Sequence, residues 1–164
     1  MEKMINEIAS ILLDKGMTIG TAESCTAGLI GASLASINGA SKYYRGSIVS
    51  YATDLKTSLL DVSANCIRDN DVVSPQVAQL MALGGLYKLK VDLCVAITGY
   101  AGLTGGSDKS PNGTIWICSS KCDGAKKVDF HYKMITVNGS RGENIEKCVK
   151  AALETVIEHL NRKG

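Results

Sequence analysis

The chain has 164 residues, 45% of them hydrophobic, with 18 Lys and Arg against 16 Asp and Glu and a formal net charge of +2. At roughly 150 residues per domain this length predicts one domain, and about 70% of the unfolded surface can be buried at this size, enough for a core without disulfide or metal staples. The balanced charge, with no run of Lys or Arg, argues against a nucleic-acid or membrane-surface partner.

Glu2, Lys3, Glu7 and Asp14 interrupt the amino-terminal segment. It has neither a secretory apolar core nor an apolar span of ~20 residues, so a cytoplasmic protein is expected. Met4, Ile5, Ile8, Ile11 and Leu12 keep helical spacing and stop before Gly16, which predicts an amphipathic first helix closed by a glycine. Residues 17–22, β-branched and small, run into a small-residue stretch over 24–35, read as a strand, a sharp turn and a tightly packed helix. Residues 43–52 read as a second strand, and Thr53 or Asp54 can cap a brief helix through Leu60. Ser74 before Pro75 opens a helix with Val77, Leu80, Met81, Gly84 and Tyr87 on one face. The apolar run 91–97 is the pattern of a central strand covered on both sides. Five glycines and Pro111 between residues 99 and 113 predict a flexible loop with exposed backbone. Residues 114–118 and 127–136 read as a paired antiparallel couple. Ser140 and Glu143 form a capping box before a last helix with Ile145, Val149, Ala152, Val156 and Leu160 inward. This order of elements predicts a single α/β domain with three α/β/α layers and a mixed, mostly parallel sheet.

Ligands in such sheets collect at the carboxyl ends of the strands, which singles out residues 21–28, 50–56 and 97–106. Ser24, at the turn from strand to helix, is a candidate nucleophile with first-turn amides as an oxyanion hole; on the residues alone an ordinary N-cap is the commoner role for such a serine. Cys25 is a second candidate, since a helix N-terminus lowers a thiol pKa, against the commoner role of a small buried hydrophobe. The only histidines, His131 and His159, lie outside these loops, so a Ser-His arrangement is disfavoured and Lys56 is the remaining base, with Tyr51 passing a proton or steering the amine. Tyr51 closing a strand and Lys56 lying in solvent is the alternative. Arg141, a cation in the first turn of a helix, opposes the helix dipole and favours a bound anion. Cys25, Cys66, Cys94, Cys118, Cys122 and Cys148 show no C-x-x-C pair, so neither a zinc site nor a disulfide framework is expected.

Taken together, TAESCTAG over residues 21–28, GSIVSY over 46–51 followed by Lys56, Val73 and Ser74, and AITGYAG over 96–102 with Gly105, Gly106, Gly113 and Thr114 resemble the CinA carboxy-terminal domain family across nearly the whole chain. The resemblance implies a nicotinamide-nucleotide amidase that hydrolyses the carboxamide of nicotinamide mononucleotide to nicotinate mononucleotide and ammonia, in pyridine-nucleotide salvage. It implies Ser24 as nucleophile, Lys56 as its base with Tyr51 assisting, Thr98, Gly99 and Gly102 along the substrate site, and Arg141 near the nucleotide. It further implies no metal or cofactor and a stand-alone form without the amino-terminal domain of longer members. The family usually has proline where Leu103 stands and a second arginine shortly after Arg141. The rival reading is a nucleotide-binding or regulatory module with little turnover. A homo-oligomer is expected, as for many small α/β enzymes.

Overall fold

The computed structural model describes residues 1–122 and 127–162. The elements, in chain order, are α1 (Glu2–Lys15), β1 (Ile19–Glu23), α2 (Leu29–Ala35), β2 (Tyr44–Val49), α3 (Thr53–Leu60), α4 (Ala64–Asn70), α5 (Pro75–Leu89), β3 (Leu93–Gly99), β4 (Thr114–Cys122), β5 (Val128–Thr136) and α6 (Arg141–Asn161). Strand order is β2-β1-β3-β4-β5. β1 pairs in parallel with β2 and β3, and β4 is antiparallel to both β3 and β5, so four of the five strands share one direction. This is the mixed α/β sheet the sequence predicts, with the apolar β3 at its centre.

Two apolar cores flank the sheet. Ile5, Ile8 and Leu12 of α1, Ile30 and Leu34 of α2 and Val149, Leu153 and Val156 of α6 pack on one side with Ile19, Val95 and Ile117. On the other, Val77, Met81 and Leu86 of α5 and Leu60 of α3 meet Ala22, Cys94, Ala96 and Cys118. Burying one Leu, Ile or Val side chain contributes about 1.5–3 kcal/mol, so these two interfaces hold the three layers together.

Local signals fix several boundaries. Gly16 closes α1 in the left-handed conformation. The Ser74 hydroxyl accepts from the Val77 amide before Pro75, and Ser140 and Glu143 form the full capping box of α6. Other expectations need correction. α3 is capped by neither Thr53 nor Asp54; Ala52 holds the N-cap position without a side-chain bond. α4, which carries no apolar periodicity, escaped the sequence reading. The buried face of α5 is Val77, Ala78, Met81, Ala82, Gly85 and Leu86, while Tyr87 is 63% exposed. Gly84 instead lets α3 approach, because a Cβ there would collide with the Leu60 carbonyl.

Candidate active site

Because β1, β2 and β3 run parallel, the loops after Glu23, Val49 and Gly99 leave the sheet at one edge. β1 ends on Glu23, whose side chain is fully buried. Its carboxylate accepts from Thr26 Oγ1 at 2.7 Å, Thr21 Oγ1 at 2.8 Å and the amides of Gly28, Ile30 and Gly31 at 3.0, 3.1 and 2.8 Å. An acceptor with full negative charge thus satisfies the positive end of α2, the work normally done by an N-cap side chain. The helix begins at Leu29, five residues later than expected, and the intervening segment turns back through Ala27 and Gly28 with φ of 51° and 98°.

Ser24 rides on that turn, so it is not the helix cap. Nor are the first-turn amides of α2 open to an oxyanion, since Glu23 holds them. The backbone donors adjacent to Ser24 are instead those of Cys25 and Thr26.

Lys56 lies one turn into α3 and faces inward, 1% exposed. Its Nζ donates to Ser24 Oγ at 3.0 Å and to the Ser50 carbonyl at 2.7 Å. Burial pushes its pKa down from 10.5 to about 8, against a smaller opposing electrostatic effect of Cys25. The Ser50 amide donates to the Glu23 carbonyl at 2.8 Å, so the backbone of one residue, through the peptide groups on either side of it, ties Lys56 to the strand that precedes Ser24. Cys25 behaves unlike a helix-terminus thiol. A hydrogen bond with Cys148 and burial both raise its pKa well above the ordinary thiol value.

Tyr51 is 55% exposed and contacts Arg141, not Lys56: Arg141 Nη2 donates to its hydroxyl at 2.6 Å. The pair stands at the rim, with Arg141 at the first position of α6. Thr98, almost fully buried, donates its hydroxyl to the Val72 carbonyl at 2.9 Å. The glycine-rich loop is strapped down rather than free. Tyr100 donates to Asp71 at 3.0 Å, Ser107 donates to the other Asp71 oxygen, and Ser110 donates to the Val73 carbonyl at 2.6 Å.

Ser24, Lys56, Tyr51, Thr98, Gly99, Gly102 and Arg141 all line one cavity of about 260 Å³. Sequence reasoning gave no role at this site to Thr53, Val72, Tyr100 and Thr104, which line it together with Cys25, Val73 and Ala101. Tyr100 lay within a quoted motif; Val72 carried no signal, since it enters only through the fold of the α4–α5 connection. A separate Ser119–His159–Asp129 chain, with Oγ to Nδ1 at 2.9 Å and Nε2 to Oδ2 at 3.2 Å, has the order of a hydrolase triad. Ser119 and His159 are both 0% exposed, so no substrate reaches them.

The molecule is therefore a three-layer α/β domain with a buried Ser–Lys pair where its parallel strands end. It belongs to the CinA C-terminal domain family, whose model matches residues 1–160. It is 38% identical to a putative competence-damage inducible protein of Halothermothrix orenii over 85% of this chain and 33% of that one. It is 36% identical to a CinA-like protein of Desulfotalea psychrophila over 97% of this chain and 37% of that one. The chain thus spans about a third of the length of these relatives. Two solved structures match almost end to end. The competence damage-inducible protein A of Klebsiella pneumoniae has a TM-score of 0.90 at 28% identity, covering 99% of this chain and 98% of its own. The competence/damage inducible protein CihA of Agrobacterium tumefaciens has 0.88 at 34%, covering 98% and 95%.

Proposed function

We propose that the protein is an amidohydrolase that deamidates nicotinamide mononucleotide to nicotinate mononucleotide and ammonia through a Ser–Lys acyl-enzyme mechanism, in cytoplasmic pyridine-nucleotide salvage. The observation that carries the chemistry is the 3.0 Å contact between Ser24 Oγ and a lysine amine depressed to about 8. The substrate rests on the resemblance of the motifs.

In this reading neutral Lys56 takes the Ser24 proton and the alkoxide adds to the carboxamide carbon. The amides of Cys25 and Thr26 are the candidate donors to the resulting oxyanion. The C–N bond then breaks as Lys56 returns the proton to the departing nitrogen, giving ammonia and an acyl-serine. Water, deprotonated by the same amine, releases the acid and restores Ser24. The Arg141 guanidinium at the rim supplies a cation for the nucleotide phosphate, and Tyr51 orients it. The tyrosine therefore assists binding instead of proton transfer. No step calls for a metal or a cofactor.

Ammonia release from nicotinamide mononucleotide is the decisive assay. Ser24→Ala should keep its fold and its nucleotide affinity yet lose nearly all turnover, since a nucleophile has no substitute. A wild-type protein that binds the nucleotide without releasing ammonia would instead be a binding module.

A further inference from the structure

The charged residues that line the Ser24 cavity are Lys56 and Arg141, and among the described residues no carboxylate borders it. The ring of nicotinamide mononucleotide is itself a cation, a pyridinium whose nitrogen carries the ribose. Arg141 answers the phosphate. A cationic ring brought beside Lys56 needs its own source of negative potential, because an uncompensated charge taken out of water is costly.

Tyr100 is placed to supply it. It is the first residue beyond β3, it borders the cavity, and it is fixed at both ends. Its amide donates to the Thr114 carbonyl at 3.0 Å and its carbonyl accepts from the Gly113 amide at 3.0 Å, while its hydroxyl donates to Asp71 Oδ1 at 3.0 Å. Burial and the Asp71 carboxylate both raise the Tyr100 pKa, so the phenol keeps its proton and goes on donating. Tyr51, the other tyrosine at the cavity, is 55% exposed and its hydroxyl is taken by Arg141. Asp71 is held against its own preference, with φ of 80° and ψ of 151°, a region that glycine ordinarily occupies. Such strain persists where the surrounding structure over-determines a residue, and it gathers at ligand sites. Here it fixes a full negative charge behind the ring of Tyr100.

On the amidohydrolase reading above, we propose that Tyr100 determines specificity at this site: its ring, with the Asp71 carboxylate behind it, receives the cationic ring of the substrate and selects N-substituted pyridinium carboxamides over neutral carboxamides of the same shape. The negative face of an aromatic ring attracts such a cation, and donation of its hydroxyl to a carboxylate makes the ring richer in electrons. An aliphatic side chain at position 100 would cover the substrate ring as well but would leave its charge unanswered.

Calorimetric titration tests this with two probes, nicotinamide mononucleotide and its 1,4-dihydro form, which keeps the carboxamide, ribose and phosphate but has a neutral ring. Both are titrated into Ser24→Ala, so that neither is consumed. The cationic form should bind about 10-fold more tightly than the neutral one. Adding Tyr100→Leu should bring the ratio near one by weakening the cationic form alone, whereas Tyr100→Phe, which keeps the ring, should retain most of the preference. Asp71→Asn, which removes the charge behind the ring, should reduce it in part. Equal affinity for the two forms in Ser24→Ala would overturn the proposal, even if the Tyr100 variants failed to fold, and so would a preference that survives Tyr100→Leu. Wild type that binds the cationic form selectively without releasing ammonia would remove the amidohydrolase reading and leave the role of Tyr100 standing. Ammonia release with no ring preference would do the opposite, and failure of both probes to bind would overturn both.

Discussion

Lys56 sits where a charge is hardest to keep, and the proposal that it serves as a base rests on that. Its folded pKa of about 8 lies below the unfolded 10.5, so near pH 8 half the molecules hold the neutral amine. The rate should rise with pH through this value and level off above it. Lys56→Arg keeps a cation beside Ser24 but cannot deprotonate; turnover should fall at least ~1,000-fold while nucleotide binding persists. An active arginine variant with an unaltered pH profile would show that the position only holds charge. Ser24 and Lys56 were legible because their motifs stand in order along the chain, and residue type alone left each open between a catalytic and an ordinary role. Tyr51 was legible as a site residue but not in its contact, since nothing in a linear sequence shows that residue 141 comes back to meet it. Glu23 was missed because a carboxylate at a strand end ordinarily faces water.

At the scale of elements, α2 shows how one buried acceptor overrides local propensity. Small residues from 24 onward would permit a helix at once, yet the Glu23 carboxylate draws in the amides of Gly28, Ile30 and Gly31 and throws Ser24 onto a turn. Glu23→Gln sets a donor against these donors. It should lower stability by about 3 kcal/mol in urea unfolding and reduce kcat more than it raises KM, because Ser24 loses its footing. Thr26→Val, removing one neutral bond, should cost only about 1 kcal/mol. A Glu23→Gln loss below that of Thr26→Val would mean α2 is held by its packing alone. The strands and the capped helices α5 and α6 were readable from their periods and caps. The order of the glycine-rich loop was not, because Asp71, the residue that anchors Tyr100 and Ser107, lies 29 and 36 residues away from them.

For the whole molecule, the buried His159 links stability to pH. Burial lowers its pKa from 6.5 to about 4, partly offset by the hydrogen bond to Asp129. The unfolded chain therefore binds a proton that the folded one resists between those values. Stability is full above about pH 6.5 and falls as pH drops toward 4, by up to about 3 kcal/mol. The carboxyls of Asp129, Glu143 and Glu158, held below their ordinary values, lose their contribution at still lower pH. Urea titrations followed by Trp116 fluorescence at pH 7, 5.5 and 4.5 should show the decline, and His159→Gln should flatten it. A wild type equally stable at pH 7 and 4.5 would contradict the assignment. The backbone of Ser50 carries a different consequence. It bonds the end of β1 through its amide and Lys56 through its carbonyl, so serine and amine meet only after β2 has docked alongside β1. That parallel pairing closes a long loop and is slow to form. Until it forms, Lys56 remains a solvated ammonium near its ordinary pKa and Ser24 an inert alcohol. Under the proposed mechanism a nascent or partly unfolded chain is thus chemically inert, and the return of turnover on refolding would report closure of the parallel half of the sheet.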